Sequence, residues 1–131
     1  LTIVGAENNM TNNINQSNVV VRQIENNKMN LINIYDDHSV FVLPSFTEGH
    51  PMVLLEALAR RRPVVIFEEI KHVIGDKKGI FVSKRNYESF LKTINYIKNN
   101  YQKIQEEMKQ NQLPTKKQFI SELTSHISLQ N

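Results

Sequence analysis

The sequence contains no cysteine, and this absence excludes several classes of chemistry. Without cysteine there is no disulfide framework, no cysteine-ligated zinc or iron–sulfur site and no thiol nucleophile. Long apolar runs are also missing, because the longest, residues 40–43 and 64–67, fall far below the roughly 18 residues that a membrane span requires. No apolar signal stretch opens the chain. We therefore expect a soluble protein of the cytoplasm.

Charge of one sign is in only slight excess. The net charge is +3 and the isoelectric point is about 9.2. This bias favours anionic ligands such as phosphates, but it is too small to indicate nucleic acid. We therefore expect no nucleic-acid partner. The four histidines do not have the spacing of metal ligands, and we expect no metal site.

The length of the chain bounds its domain organisation. With 131 residues it has the size of one domain, so we expect a single domain over residues 1–131. The chain begins at Leu1, and residues 1–5 have the pattern of a buried strand that enters a turn, with no preceding cap. We therefore expect a piece of a longer protein, shortened on its N-terminal side.

Apolar periodicity predicts the fold class. Five short and almost wholly apolar runs are typical of strands covered on both faces: residues 2–4, 19–21, 40–43, 64–67 and 80–82. Segments with helical spacing lie between them, with apolar positions at Leu31, Ile32, Tyr35, Val53, Leu54, Ala57 and Leu58. Strands that alternate with helices predict an α/β fold with a Rossmann-like parallel sheet flanked by helices.

The chain after residue 82 has helical patterning only. Asn86 is suited to cap a helix whose apolar stripe continues as far as Met108. Thr115 and Gln118 fit a capping box for a last helix, with one apolar face formed by Phe119, Ile120, Leu123 and Ile127. We therefore expect C-terminal helices after the sheet.

The most informative segment is residues 40–65, VFVLPSFTEGHPMVLLEALARRRPVV. It contains a buried strand, a loop with Glu48 and Gly49, Pro51 at the expected first position of a helix, and Glu56 within that helix. In open parallel sheets, ligands bind beyond the carboxyl ends of strands, where a helix N-terminus presents free N–H groups. The loop suits a phosphate. Two carboxylates beside it would accept hydrogen bonds from hydroxyl groups. A phosphate site and two hydroxyl-binding groups together favour a sugar nucleotide as the ligand.

This segment resembles the signature of the group 1 (family 4) glycosyltransferases of the GT-B type. The match consists of a strand, PS, EG, a proline, an apolar helix, a second glutamate eight positions after the first, and PVV, in that order. The resemblance implies that the chain is the C-terminal, donor-binding domain of such an enzyme and forms one half of a GT-B fold. It also implies retaining transfer of a hexose from a nucleotide diphosphate sugar, a UDP-sugar, without a metal or other cofactor.

The resemblance assigns roles to individual residues. Glu48 would contact the transferred sugar near its reacting centre as the catalytic residue, and Glu56 would hold the ribose hydroxyls. The backbone of the loop and first helical turn would face the donor, as would two positions after earlier strands; these substrate-binding residues are Gly49, His50, Pro51, Met52, Val53, Gly5 and Arg22. The partners implied are the nucleotide sugar and an N-terminal acceptor-binding domain of the same longer chain, through which peripheral membrane contact would occur.

Several positions depart from the family pattern. The first strand of the family and the basic residues that grip the diphosphate have no counterpart, Glu7 follows Gly5, and residues 67–70 replace a glycine-rich turn. Arg61 occupies the position where a left-handed glycine ends the helix, so we expect either a positive φ or a tightened last turn there.

Three hypotheses remain open. The first is an enzyme fragment in polysaccharide biosynthesis that is inactive alone. The second is a non-catalytic nucleotide-sugar-binding module, and the third is a flavodoxin-like interaction module that binds no nucleotide.

Overall fold

A computed structural model describes residues 1–5, 18–115, 117, 118 and 121. The chain forms two compact units, Leu1–Ser39 and Val40–Asn131, which are described separately below. The predicted single domain remains a prediction. Within the described residues, no helix is both long enough and apolar enough to cross a membrane.

The described residues of the first unit form two parallel strands and one helix. Strand β1 (Thr2–Val4) pairs with β2 (Val20–Arg22), with Thr2 opposite Val20. Helix α1 (Lys28–Asp36) begins because the side chain of Asn27 accepts hydrogen bonds from the N–H groups of Met29 and Asn30. The strand predicted over residues 19–21 is therefore confirmed with a shift of one residue, which is within the usual uncertainty of strand ends.

His38 ties the end of α1 to β1 inside this unit. Its Nδ1 lies 2.7 Å from the carbonyl oxygen of Ile34, and its Nε2 lies 2.8 Å from Oγ1 of Thr2. A carbonyl only accepts, so Nδ1 donates to Ile34, and in the neutral ring Nε2 accepts from the Thr2 hydroxyl. The histidine therefore bridges the helix and the strand.

The second unit is built on a three-stranded parallel sheet. Strands β3 (Phe41–Leu43), β4 (Val64–Phe67) and β5 (Ile80–Ser83) lie in that order, with β4 in the centre. Helix α2 (Met52–Ala59) connects β3 to β4, and a 3₁₀ segment (Glu68–Val73) follows β4. Helices α3 (Tyr87–Asn99) and α4 (Tyr101–Met108) complete the described part of the unit. The predicted Rossmann-like α/β class is thus confirmed, in a form consistent with half of a GT-B fold.

The core of this unit surrounds β4. Val64, Val65 and Ile66 are 0% exposed, which accounts for the unbroken apolar sequence of this strand. Apolar side chains from the surrounding elements complete the core: Leu54, Leu58, Ile70, Ile97, Ile104 and Met108. Burying a side chain of this kind stabilises the fold by about 1.5–3 kcal/mol. The core therefore fixes the sheet whose ends carry the site.

The C-terminal helices differ from the sequence expectation at one point. The apolar stripe does continue to Met108, but the helix breaks at Asn100, whose φ of −116° and ψ of 16° are not helical. The Asn100 side chain and its backbone N–H both donate to the carbonyl of Tyr96, a local side-chain contact typical of asparagine at helix ends. Asn86 caps α3 as predicted, accepting from the N–H of Ser89.

Two further expectations concern helix starts. Thr115 and Gln118 form the reciprocal hydrogen bonds of a capping box, as predicted. The apolar face predicted after it lies outside the described residues, at Phe119, Ile120, Leu123 and Ile127. Pro51 was expected at the first helical position of α2 and instead occupies the N-cap, with an extended ψ of 104°.

Helix α2 ends in the left-handed turn expected at Arg61. The φ of Arg61 is 51°, the only positive φ of a non-glycine residue in the described chain. The N–H of Arg62 bonds to the carbonyl of Ala57, and that of Arg61 bonds to the carbonyl of Leu58. These two bonds form a Schellman motif, so the turn satisfies carbonyls that the helix end leaves open. Arg61 therefore adopts a backbone conformation that glycine adopts more readily than any other residue.

We expect Arg61→Gly to be more stable than Arg61→Ala. Both variants remove the guanidinium, so any loss of charge at the helix end is common to them. They differ in the backbone, because an L-residue in the left-handed region costs about 1 kcal/mol that glycine does not. Urea unfolding should therefore place the glycine variant about 1 kcal/mol above the alanine variant. Equal stabilities, or a more stable alanine variant, would contradict the strain assigned to this turn.

Candidate functional site

The loop between β3 and α2 places Glu48 at the carboxyl edge of the sheet. The loop leaves the sheet after Leu43, and the Ser45 hydroxyl donates to Oε1 of Glu48 at 2.6 Å. Such a short hydrogen bond to a carboxylate fixes the direction of the side chain. Glu48 is half-buried.

His72 holds the same loop from the 3₁₀ segment. Its Nε2 lies 2.7 Å from the backbone carbonyl oxygen of Glu48. Because the carbonyl only accepts, the proton must be on Nε2. The backbone of Glu48 is thus tied to the segment that follows β4.

Arg85 contacts the beginning of the loop. Its Nη1 donates to the carbonyl of Pro44 and its Nη2 to the carbonyl of Ser45, both at 3.1 Å. The guanidinium also lies over the ring of Phe46, at 3.9 Å from the centroid, and over that of Phe67, at 4.2 Å. Planar stacking of this kind suits arginine better than lysine.

Glu69 completes the surroundings of this guanidinium. Its Oε1 accepts from Nε of Arg85 at 3.1 Å, and its Oε2 lies 3.5 Å from Nη2. The hydrogen bond from Arg85 lowers the pKa of the Glu69 carboxyl, because it favours the charged form. Glu69 belongs to residues 67–70, which replace the glycine-rich turn of the family, so this departure has a definite use in the fold.

A small cavity lies beside the N-terminus of α2. Its volume is about 180 Å³, and its lining includes Gly49, His50 and Pro51, which were predicted to face a substrate. His72 and Lys77 line it as well, and neither was predicted. The volume is below the roughly 300–1,000 Å³ of complete ligand pockets. The cavity can therefore hold one group of a larger ligand.

The first turn of α2 is open. Pro51 provides no side-chain cap, and Met52 and Val53 are exposed. A Cβ added to Gly49 would meet nothing within 4 Å. The positive end of the helix is thereby accessible to an anion, as in many phosphate sites.

The two predicted carboxylates lie on different parts of this segment. Glu48 is in the loop, whereas Glu56 is the fifth residue of α2 and is half-buried. Neither is among the described residues that line the small cavity. Their expected roles toward a donor remain predictions.

Gly5 and Arg22 are neighbours within the first unit. The N–H of Gly5 donates to the carbonyl of Arg22 at 3.0 Å, at the ends of the paired strands β1 and β2. Gly5 has a φ of 87°, which favours glycine. These two predicted positions are therefore adjacent, and the exposed side chain of Arg22 lies next to the turn.

Sequence reasoning missed the residues that hold the loop. Arg85 and Lys77 belong to no recognisable motif, and His72 carries no spacing that would indicate its contact with Glu48. The one usable signal was the pair of acidic residues, Glu68 and Glu69, in place of the glycine-rich turn. In the part of the chain that the structure describes, no group of three or more histidine, aspartate or glutamate side chains is arranged to hold a metal.

Comparisons with known proteins identify a family. The family described as "Glycosyl transferases group 1" matches residues 1–113. An "Uncharacterized glycosyltransferase" of Haemophilus influenzae (strain ATCC 51907 / DSM 11121 / KW20 / Rd) is 34% identical over 70 residues. The aligned stretch covers 50% of this chain and 20% of that relative, so the chain corresponds to a small part of its length. No solved structure matches the chain.

The ion pair between Glu69 and Arg85 predicts a pH dependence of stability. A carboxyl whose pKa is lowered by folding stabilises the fold above its unfolded pKa, about 4.3, and this contribution is lost as the pH falls through the lower folded value. The difference in urea midpoint between the wild type and Glu69→Gln should therefore be constant from pH 7 to about pH 5 and shrink below it.

Glu68→Gln is the matched control, since Glu68 is exposed and adjacent but is not bonded to Arg85 in the contacts above. An NMR titration gives a direct test, because Arg85→Met should raise the pKa of Glu69. An unchanged pKa in that variant would disprove the assigned cause.

Proposed function

This chain belongs to the group 1 glycosyltransferases, and we propose that it is the donor-binding domain of a retaining enzyme that transfers a hexose from a nucleotide diphosphate sugar, a UDP-sugar. The acceptor is a glycan or another hydroxyl-bearing molecule, as in polysaccharide biosynthesis in the cytoplasm. The family match supports glycosyl transfer, and the finer assignments are the proposal.

The observation that carries the proposal is the cavity at the open end of α2. It combines the exposed N-terminal turn of a helix with the cationic side chain of Lys77. A phosphate or a sugar ring matches its size, whereas a whole nucleotide sugar does not. We propose that the donor places its transferred group and part of its diphosphate here.

Glu48 and Glu56 have separate tasks in this proposal. Glu48 lies in the loop that borders the cavity and stands beside the sugar, where positive charge develops as the bond to the diphosphate breaks. A carboxylate held in place in advance stabilises such charge without reorganisation. Glu56 accepts hydrogen bonds from the ribose hydroxyls. Because the ribose takes no part in the reaction, this contact binds the donor equally in the ground state and the transition state. The substrate-binding roles of Gly5 and Arg22, in the first unit, rest on the family resemblance alone.

The acceptor side belongs to another part of the protein. The chain aligns with 20% of its curated relative, so transfer by the whole protein is itself a proposal. An N-terminal domain would bind the acceptor and make any peripheral membrane contact. Because two-substrate transfer depends on holding both reactants together, the donor half alone lacks most of the rate enhancement.

We therefore expect purified residues 1–131 to show no sugar transfer. The measurement is release of nucleoside diphosphate from UDP-glucose with and without oligosaccharide acceptors, compared with a sample without protein. Turnover above that background that disappears in Glu48→Gln would contradict the assignment as an incomplete enzyme.

Donor binding can be tested on the same chain by calorimetry. Uridine, guanosine and adenosine diphosphates and their hexose derivatives should be compared, and we expect uridine diphosphate to bind. Glu56→Gln should weaken nucleotide binding roughly 10- to 150-fold, the usual effect of losing a hydrogen bond to a charged group. Glu48→Gln should leave the affinity for the bare diphosphate nearly unchanged and weaken binding of the sugar derivative.

Glu88→Gln is the control, because Glu88 is an exposed carboxylate in the first turn of α3. If Glu56→Gln and Glu48→Gln weakened binding of the bare diphosphate equally, the separate roles of the two carboxylates would be contradicted. Binding of the diphosphate without activity in the complete protein would favour a non-catalytic module, a reading that Glu7 after Gly5 also supports. Absence of nucleotide binding would favour the interaction module.

A further inference from the structure

We propose that Arg85 is a positioning residue that sets the direction of the Glu48 carboxylate. It acts through the first residues of the loop and is itself held by Glu69. The inference rests on the proposed function for its consequence, donor recognition, but its structural part can be measured without a ligand.

The donors of Arg85 are divided among three partners. Nη1 binds the carbonyl of Pro44, Nη2 binds that of Ser45, and Nε binds Glu69, each at 3.1 Å. These partners follow β3 and β4, while Arg85 itself follows β5. One planar group therefore fixes the distance between the segments that leave three neighbouring strands.

The aromatic contacts hold the plane of the guanidinium. The guanidinium carbon of Arg85 lies 3.9 Å from the ring centroid of Phe46 and 4.2 Å from that of Phe67. Phe46 belongs to the loop and is 70% exposed, so its ring has little else to pack against. Arg85 thus provides both the hydrogen bonds and the apolar surface that keep the loop in place.

Ser45 transmits this restraint to Glu48. Its carbonyl is bound by Arg85, and its hydroxyl donates to Oε1 of Glu48 at 2.6 Å. If the backbone of Ser45 moved, the hydroxyl would move with it, and the carboxylate would lose its short hydrogen bond. His72 holds only the backbone carbonyl of Glu48, so it cannot replace this restraint on the side chain.

The energetics separate this role from general stability. The side chains of Arg85 and Glu69 are 31% and 37% exposed, and ion pairs at such positions add little to the stability of the whole fold. The guanidinium lies over the ring of Phe67 at the end of β4, whereas the side chains of Val64, Val65 and Ile66 are held by apolar burial alone. Loss of Arg85 should therefore loosen the loop and leave the sheet intact.

The test compares Arg85→Met, Arg85→Lys and the control Lys84→Met, an exposed neighbour that loses the same charge. Backbone NMR order parameters for residues 45–48 should be near 0.85 in the wild type and fall toward about 0.6 in Arg85→Met. Arg85→Lys should resemble Arg85→Met, because an ammonium cannot span both carbonyls and the carboxylate. Lys84→Met should match the wild type.

Ligand binding gives the readout that a merely structural role would not move. In Arg85→Met the dissociation constant for UDP-glucose should rise about 10-fold, in line with a lost charge-assisted contact, whereas that for UDP should stay within about 2-fold. Equal weakening of both ligands, or unchanged order parameters, would overturn the inference.

Failure of the proposed function has a different signature. If the wild-type chain binds neither UDP nor UDP-glucose, donor recognition is wrong, and the order parameters alone decide whether Arg85 holds the Glu48 loop. A loop that stays rigid in both Arg85 variants refutes the positioning role in that case as well.

Discussion

One guanidinium joins the segments that leave all three strands of the larger sheet. Arg85 follows β5, Glu69 follows β4, and the carbonyls of Pro44 and Ser45 follow β3. The contact is possible because the strands are parallel and in register, with Leu43 opposite Ile66 and Phe67 opposite Ser83, so their carboxyl ends share one edge. The loop that carries Glu48 is built on this contact.

The core around β4 stabilises the fold, while the groups at the carboxyl edge of the sheet orient the site, so such a site is compatible with a stable fold. The residues of β4 are buried and contribute through apolar burial, which does not depend on direction. The groups at the edge are partly exposed and add little net stability, but hydrogen bonds at fixed angles give them orientation. The site can therefore be altered without loss of the sheet, and the sheet can hold the site without providing its chemistry.

Most of the fold could be predicted from local sequence patterns. Much of the site could not, because it is held by contacts between residues far apart in the sequence. The buried strands, the Asn86 cap and the left-handed Arg61 depend on a few neighbouring residues, whose types carry the signal. Arg85 lies 40 positions from Ser45, and no spacing rule connects them. The break at Asn100 was missed for another reason, since the apolar stripe runs through it unchanged and the local side-chain hydrogen bond of Asn100 leaves no periodic signal.

The same contacts determine which cation would be available to the phosphates of the proposed donor. Arg85 lies at the sheet edge, but its nitrogens are already engaged by two carbonyls and a carboxylate, and the negative charge of Glu69 offsets its own. Lys77 differs, because Oδ1 of its ion-pair partner Asp76 is 3.7 Å away and the Asp76 side chain is 98% exposed, so water screens this pair strongly. Lys77 also lines the cavity at the open end of α2. Within the described part of the larger unit, the proposed phosphate contact therefore depends on Lys77 and the helix terminus, while Arg85 keeps the carboxylate of Glu48 in position.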